Sequence, residues 1–302
     1  MSDIVFIDCT PELSDLFASG KIKAPDNVYV NVGDPTPGEV IALCSDARVL
    51  LVEHTVIEAK TLEACPHLTT IIFMGTGAGT YIPLEWAKSR GIVVATTPGY
   101  GSTAVAEHAM ALTFAAARRL GPMIKDLKSG VWQPRGGMQL KGRKVAVIGL
   151  GEIGRCYAEM ASALDMRVSA WNRSPVDSPF FEPDIEKTLH EAEVVSLHLA
   201  LNEQTTDFLN ASRLQLLKPG ALVINTARAA LIDQDALALA LQSGQVGHAA
   251  LDVFWQEPIS ADNEWCNLEQ VTLTPHAAYM TEEAYLELWK RTLQAVSAHT
   301  PA

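Results

Sequence analysis

Gly149-Leu150-Gly151-Glu152-Ile153-Gly154 is the segment of this sequence whose residue types and spacing most directly imply chemistry. It follows the buried-strand pattern Lys144-Val145-Ala146-Val147-Ile148 at once, and a helical run over 155–164 follows it. In that strand–turn–helix context the first glycine permits a tight turn, the second lets a pyrophosphate approach the backbone, and the third lets helix and strand pack closely. The phosphate charge then meets the unpaired N–H groups and dipole of a helix N-terminus. Glu152 and Ile153 belong to the same turn, which reads as a dinucleotide cradle of the Rossmann type.

The end of the next strand distinguishes NAD from NADP. An acid there bonds the adenosine ribose, whereas its loss with an Arg nearby accommodates a 2′-phosphate. Asn172, Arg173 and Ser174 stand there, Asn172 lying 23 positions past Gly149. Asn172 is neutral, Arg173 can pair with a phosphate, and the Ser174 hydroxyl can donate to one. The reading favours NADP. NAD stays open, with Asn172 on the ribose and Arg173 in solvent.

The elements that must position this turn alternate along the chain. Short Val- and Ile-rich runs at 4–7, 28–30, 49–52, 70–74 and 93–95 read as strands, with helices between them at 36–44, 57–65 and 83–90. A long helix at 103–119 and a polar, glycine-containing stretch at 121–142 come next. A second alternation follows, with strands at 145–148, 168–171, 194–198, 222–225, 249–253 and 271–273, and a last helix at 282–297. Repeated strand–helix–strand units imply parallel sheets covered on both faces. The expected fold is α/β with two doubly wound parallel-sheet domains. Residues 97–280 form the dinucleotide domain; 1–96, completed by 281–302, form the other, discontinuous domain.

The 302 residues carry a net charge of −12, which argues against nucleic acid or anionic membrane as partners. Five cysteines with no Cys-x-x-Cys pair argue against a disulfide framework or a structural zinc, and no metal site is expected. The first eight residues carry acids where a secretory signal has a basic region, and no apolar run is long enough to span a bilayer. The expected location is the cytoplasm.

Three later segments carry a resemblance. They are Asn225-Thr226-Ala227-Arg228-Ala229-Ala230-Leu231-Ile232-Asp233, Ala250-Leu251-Asp252-Val253-Phe254-Trp255-Gln256-Glu257-Pro258 and Leu273-Thr274-Pro275-His276-Ala277-Ala278. Together with the glycine turn and Ala104-Val105-Ala106-Glu107-His108, in this order, they resemble the D-isomer-specific 2-hydroxyacid dehydrogenase family over nearly the whole chain. The resemblance implies hydride transfer between NAD(P)H and C2 of a small 2-oxo or 2-hydroxy acid, a flavodoxin-like substrate domain and a homodimer. It implies that Arg228 holds the substrate carboxylate and carbonyl, that His276 gives or takes the proton on the C2 oxygen, and that Glu257 braces the other ring nitrogen. Arginine offers a fixed fork of donors, and histidine titrates near working pH. Asp252 would lie near the nicotinamide carboxamide, and Thr226 and Ala227 would line the cofactor. Glu107 and His108 read as structural, on a helix that links the domains. Gly75-Thr76-Gly77-Ala78-Gly79-Thr80-Tyr81 matches a loop whose backbone N–H groups at Gly77 and Ala78 take the substrate carboxylate, with Thr76 nearer the cofactor.

The chain departs from the family pattern in four places. The loop 76–83 is one residue short, with Pro83 where an acid is frequent. Ala229 follows Arg228 where the family has glycine. Nothing beyond the last helix is long enough for a regulatory domain, so amino-acid feedback is not expected. Glu53-His54 stands where relatives carry a basic residue. A carboxylate near the pocket disfavours a second anionic group on the substrate, which points to glyoxylate, hydroxypyruvate or pyruvate; alternatively, Glu53 faces solvent. Two other activities stay open: a dinucleotide-sensing module of the corepressor type, and formate or phosphite oxidation.

Overall fold

The computed structural model describes residues 3–299. They divide into two compact units, one running to Gly101 and resuming at Met280, the other spanning Ser102–Tyr279.

In the first unit the strands are β1 (Ile4–Cys9), β2 (Val28–Val32), β3 (Val49–Val52), β4 (Thr70–Phe73) and β5 (Val93–Thr96). The helices between them are α1 (Pro11–Ala18), α2 (Pro37–Cys44), α3 (Ala59–Glu63), α4 (Ala78–Tyr81) and α5 (Leu84–Ser89). The strands pair in parallel in the order β2-β1-β3-β4-β5, so the order reverses between β1 and β3. β3 and β4 are buried at every position, which is why Val-Leu-Leu-Val and Thr-Ile-Ile-Phe read as continuous rather than alternating runs. Thr36 and Glu39 cap α2 reciprocally, each side chain meeting the other's backbone N–H. The C-terminal helix Glu282–His299 belongs to this unit. Its Trp289 indole donates to the Lys23 carbonyl at 3.0 Å and meets the Phe17 ring edge-on at 4.9 Å.

The second unit begins with α6 (Ser102–Arg118) and α7 (Leu120–Lys128). Then come β6 (Lys144–Ile148), α8 (Glu152–Ala163), β7 (Arg167–Trp171), α9 (Ile185–Leu189), β8 (Val194–Leu197), α10 (Ala211–Leu214), β9 (Ala221–Asn225), α11 (Gln234–Ser243), β10 (Val246–Leu251) and β11 (Val271–Leu273). All six strands are parallel, in the order β11-β10-β9-β8-β6-β7, with the reversal between β6 and β8. Successive residues of β6 serve opposite faces, as a strand's two-residue period requires. Val145 and Val147 pack with Ala109, Ala116 and Tyr157; Ala146 and Ile148 pack with Leu197, Leu231 and Leu237.

Three expectations change. The stretch read as polar and glycine-containing includes most of α7, whose Leu120, Ile124 and Leu127 are apolar and exposed. The long helix read as a link between domains lies wholly in the second unit, where Ala106, Ala109 and Ala116 join the sheet's core. β10 starts at Val246, earlier than expected, because a shift in register between Val246 and His248 carries the strand past Gly247. Among the described residues no helix is long and apolar enough to cross a membrane, and no cluster of three or more potential metal ligands occurs.

At the opposite edge of the second sheet from the glycine turn, Glu193 accepts from Arg143 (2.7 Å), Lys218 (2.8 Å) and the Lys144 N–H (3.1 Å). Burial alone would raise its pKa, but these donors outweigh it and hold the carboxyl down at about 2. A depressed carboxylate contributes stability that is complete above its unfolded value and disappears as pH falls through the folded one. Glu193→Gln is therefore expected to lose about 1.5–3 kcal/mol at neutral pH. Denaturant unfolding should show that gap closing as pH falls from about 4.5 towards 2.

Candidate active site

Because the second sheet is all parallel, the ends of β6, β9, β10 and β11 release their following residues at one edge. The glycine turn follows β6, Arg228 follows β9, Asp252 and Glu257 follow β10, and His276 follows β11. Edge and strand-order reversal together mark where open α/β sheets bind ligands.

At the turn, Gly149 has φ +105, and a methyl group there would lie 2.7 Å from the His198 carbonyl oxygen. A methyl on Gly154 would lie 1.8 Å from the Gly149 carbonyl oxygen. Both glycines are thus required by close backbone approach. A methyl on Gly151 would meet nothing within 4 Å, and Gly151 precedes α8 with the N–H groups of that helix beyond it. The turn is tight where protein meets protein and open where a pyrophosphate would come, so the residues present fit a dinucleotide. Glu152 opens α8 and accepts from the Ser102 hydroxyl at 2.8 Å; Ile153 packs on the core.

Asn172 bridges the turn to the end of β7. Its Oδ1 accepts from the Leu150 N–H (3.2 Å) and its Nδ2 donates to the Ser174 carbonyl (2.9 Å). Arg173 is exposed and donates to Gln204 Oε1 at 3.2 Å.

Beyond β9, Asn225 shapes the next segment: its Oδ1 accepts from the Ala227 N–H and its Nδ2 donates to the Arg228 carbonyl. Thr226 is buried and Ala227 half-buried. The Arg228 guanidinium donates to the Ala227 carbonyl at 2.7 Å. Ala229 opens a 3₁₀ turn over Ala229–Leu231, a conformation that needs no glycine, which accounts for the alanine at this position.

His276 Nδ1 and Glu257 Oε2 are 2.7 Å apart, and Glu257 Oε1 accepts from the Phe254 N–H at 2.8 Å. The Glu257–Pro258 peptide is cis. Burial raises the Glu257 pKa, but the hydrogen bonds from His276 and Phe254 and the charges of His276 and Arg228 pull it below the usual carboxylate range. The carboxylate accepts Nδ1–H, which fixes the tautomer and leaves Nε2 to act.

Asp252, expected beside the nicotinamide, follows the last residue of β10. It is fully buried. Oδ1 accepts from the Thr274 hydroxyl (2.6 Å) and the Ala277 N–H (2.9 Å), and Oδ2 accepts from the Ala278 N–H (3.0 Å). His108 Nε2 stands 3.4 Å from Oδ1 and 3.1 Å from the Thr274 hydroxyl. Burial penalises this charge, yet these donors more than offset it and lower its pKa. The His276 N–H donates to the Asp252 carbonyl at 2.8 Å, and His276 itself has φ 52, in the left-handed region. Asp252 therefore holds the turn that aims His276. His108 and Thr274 are its partners, and their role was not legible from residue type.

In the first unit, the Thr76, Gly77 and Ala78 N–H groups go to no backbone carbonyl among the described residues; Gly77 precedes α4, and Ala78 is buried. Glu53 does not face solvent. It is 5 % exposed, accepts from the Thr10 N–H (3.3 Å) and hydroxyl (3.5 Å), and has its pKa pushed up to about 7 by burial and by Asp8.

Asp252→Ala would strand four donors in or at the edge of the core, and a loss above about 3 kcal/mol is expected, measured by thermal or denaturant unfolding.

Residues 110–278 match the D-isomer specific 2-hydroxyacid dehydrogenase, NAD binding domain. A glyoxylate reductase of Thermofilum pendens is 34% identical over 278 residues, 87% of this chain and 82% of that protein. A D-3-phosphoglycerate dehydrogenase of Archaeoglobus fulgidus is 33% identical over 253 residues, 80% of this chain, but this chain spans only 47% of that longer protein. The crystal structure of the TT0316 protein of Thermus thermophilus superposes with a TM-score of 0.83 at 30% identity, covering 99% of this chain and 98% of that one. With the glycine turn, the arginine segment and the Glu257–His276 pair placed at one sheet edge in family order, the chain belongs to the D-isomer specific 2-hydroxyacid dehydrogenase family.

Proposed function

We propose that this chain reduces a small 2-oxo acid of the glyoxylate, hydroxypyruvate or pyruvate type to the D-2-hydroxy acid. The observation that carries the reading is the Glu257–His276 contact of 2.7 Å at the edge that bears the dinucleotide turn. When bound, the nicotinamide cofactor supplies the hydride for C2. His276 Nε2–H delivers the proton that the C2 oxygen needs as it becomes an alkoxide, and takes it back in the oxidation direction. Glu257 keeps Nδ1–H engaged, so the ring cannot turn away. The Arg228 fork, anchored at one nitrogen by Ala227, has donors left for the carboxylate and carbonyl of the substrate. We assign cofactor contacts to Gly149, Gly151, Glu152, Ile153, Gly154, Asn172, Arg173, Ser174, Thr226, Ala227 and Asp252.

NADP is the preferred cofactor in this reading, because a neutral Asn172 and an exposed Arg173 suit a 2′-phosphate. A small or neutral-tailed substrate is preferred because Asp8 and Glu53 are acids at the ends of β1 and β3. The net charge of −12 supports a small-molecule partner rather than nucleic acid or an anionic membrane. A homodimer is supported by Phe114, Leu120, Ile124, Leu127 and Trp132, which are 41–85 % exposed within one short stretch of chain.

A panel of glyoxylate, hydroxypyruvate, pyruvate and 3-phosphohydroxypyruvate, run with NADPH and NADH, tests the reading. Turnover of the first three with NADPH preferred is expected; dinucleotide binding without turnover, or efficient use of the phosphorylated acid, contradicts it. His276→Ala should lower kcat by about a hundred- to ten-thousand-fold while dinucleotide still binds. For the oligomer, light scattering should give a dimer that Ile124→Lys with Leu127→Lys converts to monomer; a monomeric wild type would refute it.

A further inference from the structure

His108 lies on α6, and the apolar face of that helix fixes its place: Ala106 and Ala109, on either side of it in sequence, are buried in the core of the second unit. The ring is turned to the segment after β11. Nε2 is 3.1 Å from the Thr274 hydroxyl oxygen and 3.4 Å from Asp252 Oδ1, although 166 positions separate His108 from Thr274. The donors of Thr274, Ala277 and Ala278 that meet the Asp252 carboxylate come from the turn that carries His276, and the His276 N–H donates to the Asp252 carbonyl. Pro275, between them, has no N–H to add. His108 is thus the point at which a core helix grips this turn from outside.

The hydrogens in this contact can be counted. Despite burial, the hydrogen bonds it accepts hold the Asp252 carboxyl below the usual carboxylate range, so at neutral pH it is ionised and can only accept. At 2.6 Å the Thr274 hydroxyl therefore donates to Oδ1, and it has one hydrogen to give. In the 3.1 Å contact the hydrogen then belongs to Nε2 of His108, in the neutral ring and in the imidazolium alike. A donor behind the Thr274 oxygen and a carboxylate in front of it leave the hydroxyl one favourable rotation, and each bond polarises the next. Without the His108 donor the hydroxyl is free to turn away, and a carboxylate held out of water loses a hydrogen bond.

We propose that His108 is a positioning residue for His276: its Nε2–H fixes the Thr274 hydroxyl on Asp252 and so ties the turn that aims the His276 imidazole to α6. The proposal rests on the reading of His276 as the proton carrier. Among the described residues His108 makes no hydrogen bond to Glu257 or His276, and it moves no proton itself. It acts by narrowing the positions that His276 can take. That matters because a reacting group displaced by about 1 Å can cost on the order of a hundredfold in rate.

Two substitutions separate this from a merely structural role. His108→Gln places an amide N–H near the position of Nε2; His108→Leu fills the space and removes the donor. His108→Leu should lower kcat for the panel acid turned over fastest about five- to tenfold, with the dinucleotide KM within about twofold of wild type, and His108→Gln should restore most of the lost kcat. Nitrogen-15 spectra of the histidine rings give a readout that needs no turnover. Wild-type His108 should keep its Nε2 proton from about pH 5 to about pH 8. The His276 Nδ1 proton should give one sharp signal that broadens in His108→Leu and sharpens again in His108→Gln. A neutral His108 ring protonated on Nδ1 alone overturns the proposal. So does a His108→Leu protein with the wild-type His276 signal, a loss confined to the dinucleotide KM, or a His108→Gln protein no better than His108→Leu. A wild type that reduces none of the panel acids would sink the proposed function and leave the ring spectra to decide this inference. The wild-type His108 spectrum decides it even if neither variant folds.

Discussion

A charge taken out of water must be answered by donors, and in this protein the carboxylate of Asp252 is where that requirement shapes the site. It is fully buried, and each of its oxygens is engaged from the segment after β11. That demand binds the end of β10 to the residues on either side of His276 and holds a left-handed backbone conformation that a histidine does not adopt unaided. The ring is thereby delivered to Glu257, which is itself fixed by the Phe254 N–H. The proton-handling pair is thus the last member of a sequence of satisfied hydrogen bonds that starts in the core.

The same logic recurs at the glycine turn. There the constraint is steric, with carbonyls packed where a methyl group would collide. Both devices stand at the carboxyl edge of one parallel sheet. Glu193, at the opposite edge, uses its charge only to join Arg143, Lys144 and Lys218. One edge is built for chemistry and the other for cohesion.

Much of this was legible in the sequence because it rests on period and punctuation. The buried strands showed as short Val- and Ile-rich runs, and the glycine turn showed through its context. The α7 helix was not legible: Gly121 and Pro122 open it in the manner of a turn, and its apolar residues face outward, so no core of the chain's own explains them. The donors that hold Asp252 were not legible, since burial and the direction of a side chain leave no mark on residue type. Thr274 and Thr10 escaped for a related reason. Their roles depend on partners far away in sequence that only the fold brings together. That Glu53 does not face solvent depends in part on Thr10, which lies 43 positions earlier.

The account stands or falls on whether Glu257 governs the protonation of His276 during reduction. The most direct measurement is the pH dependence of kcat/KM for 2-oxo acid reduction in wild type and in Glu257→Gln. Removing the carboxylate charge beside the ring should move the limb on which activity falls with rising pH to lower pH. Superimposable profiles would contradict the account.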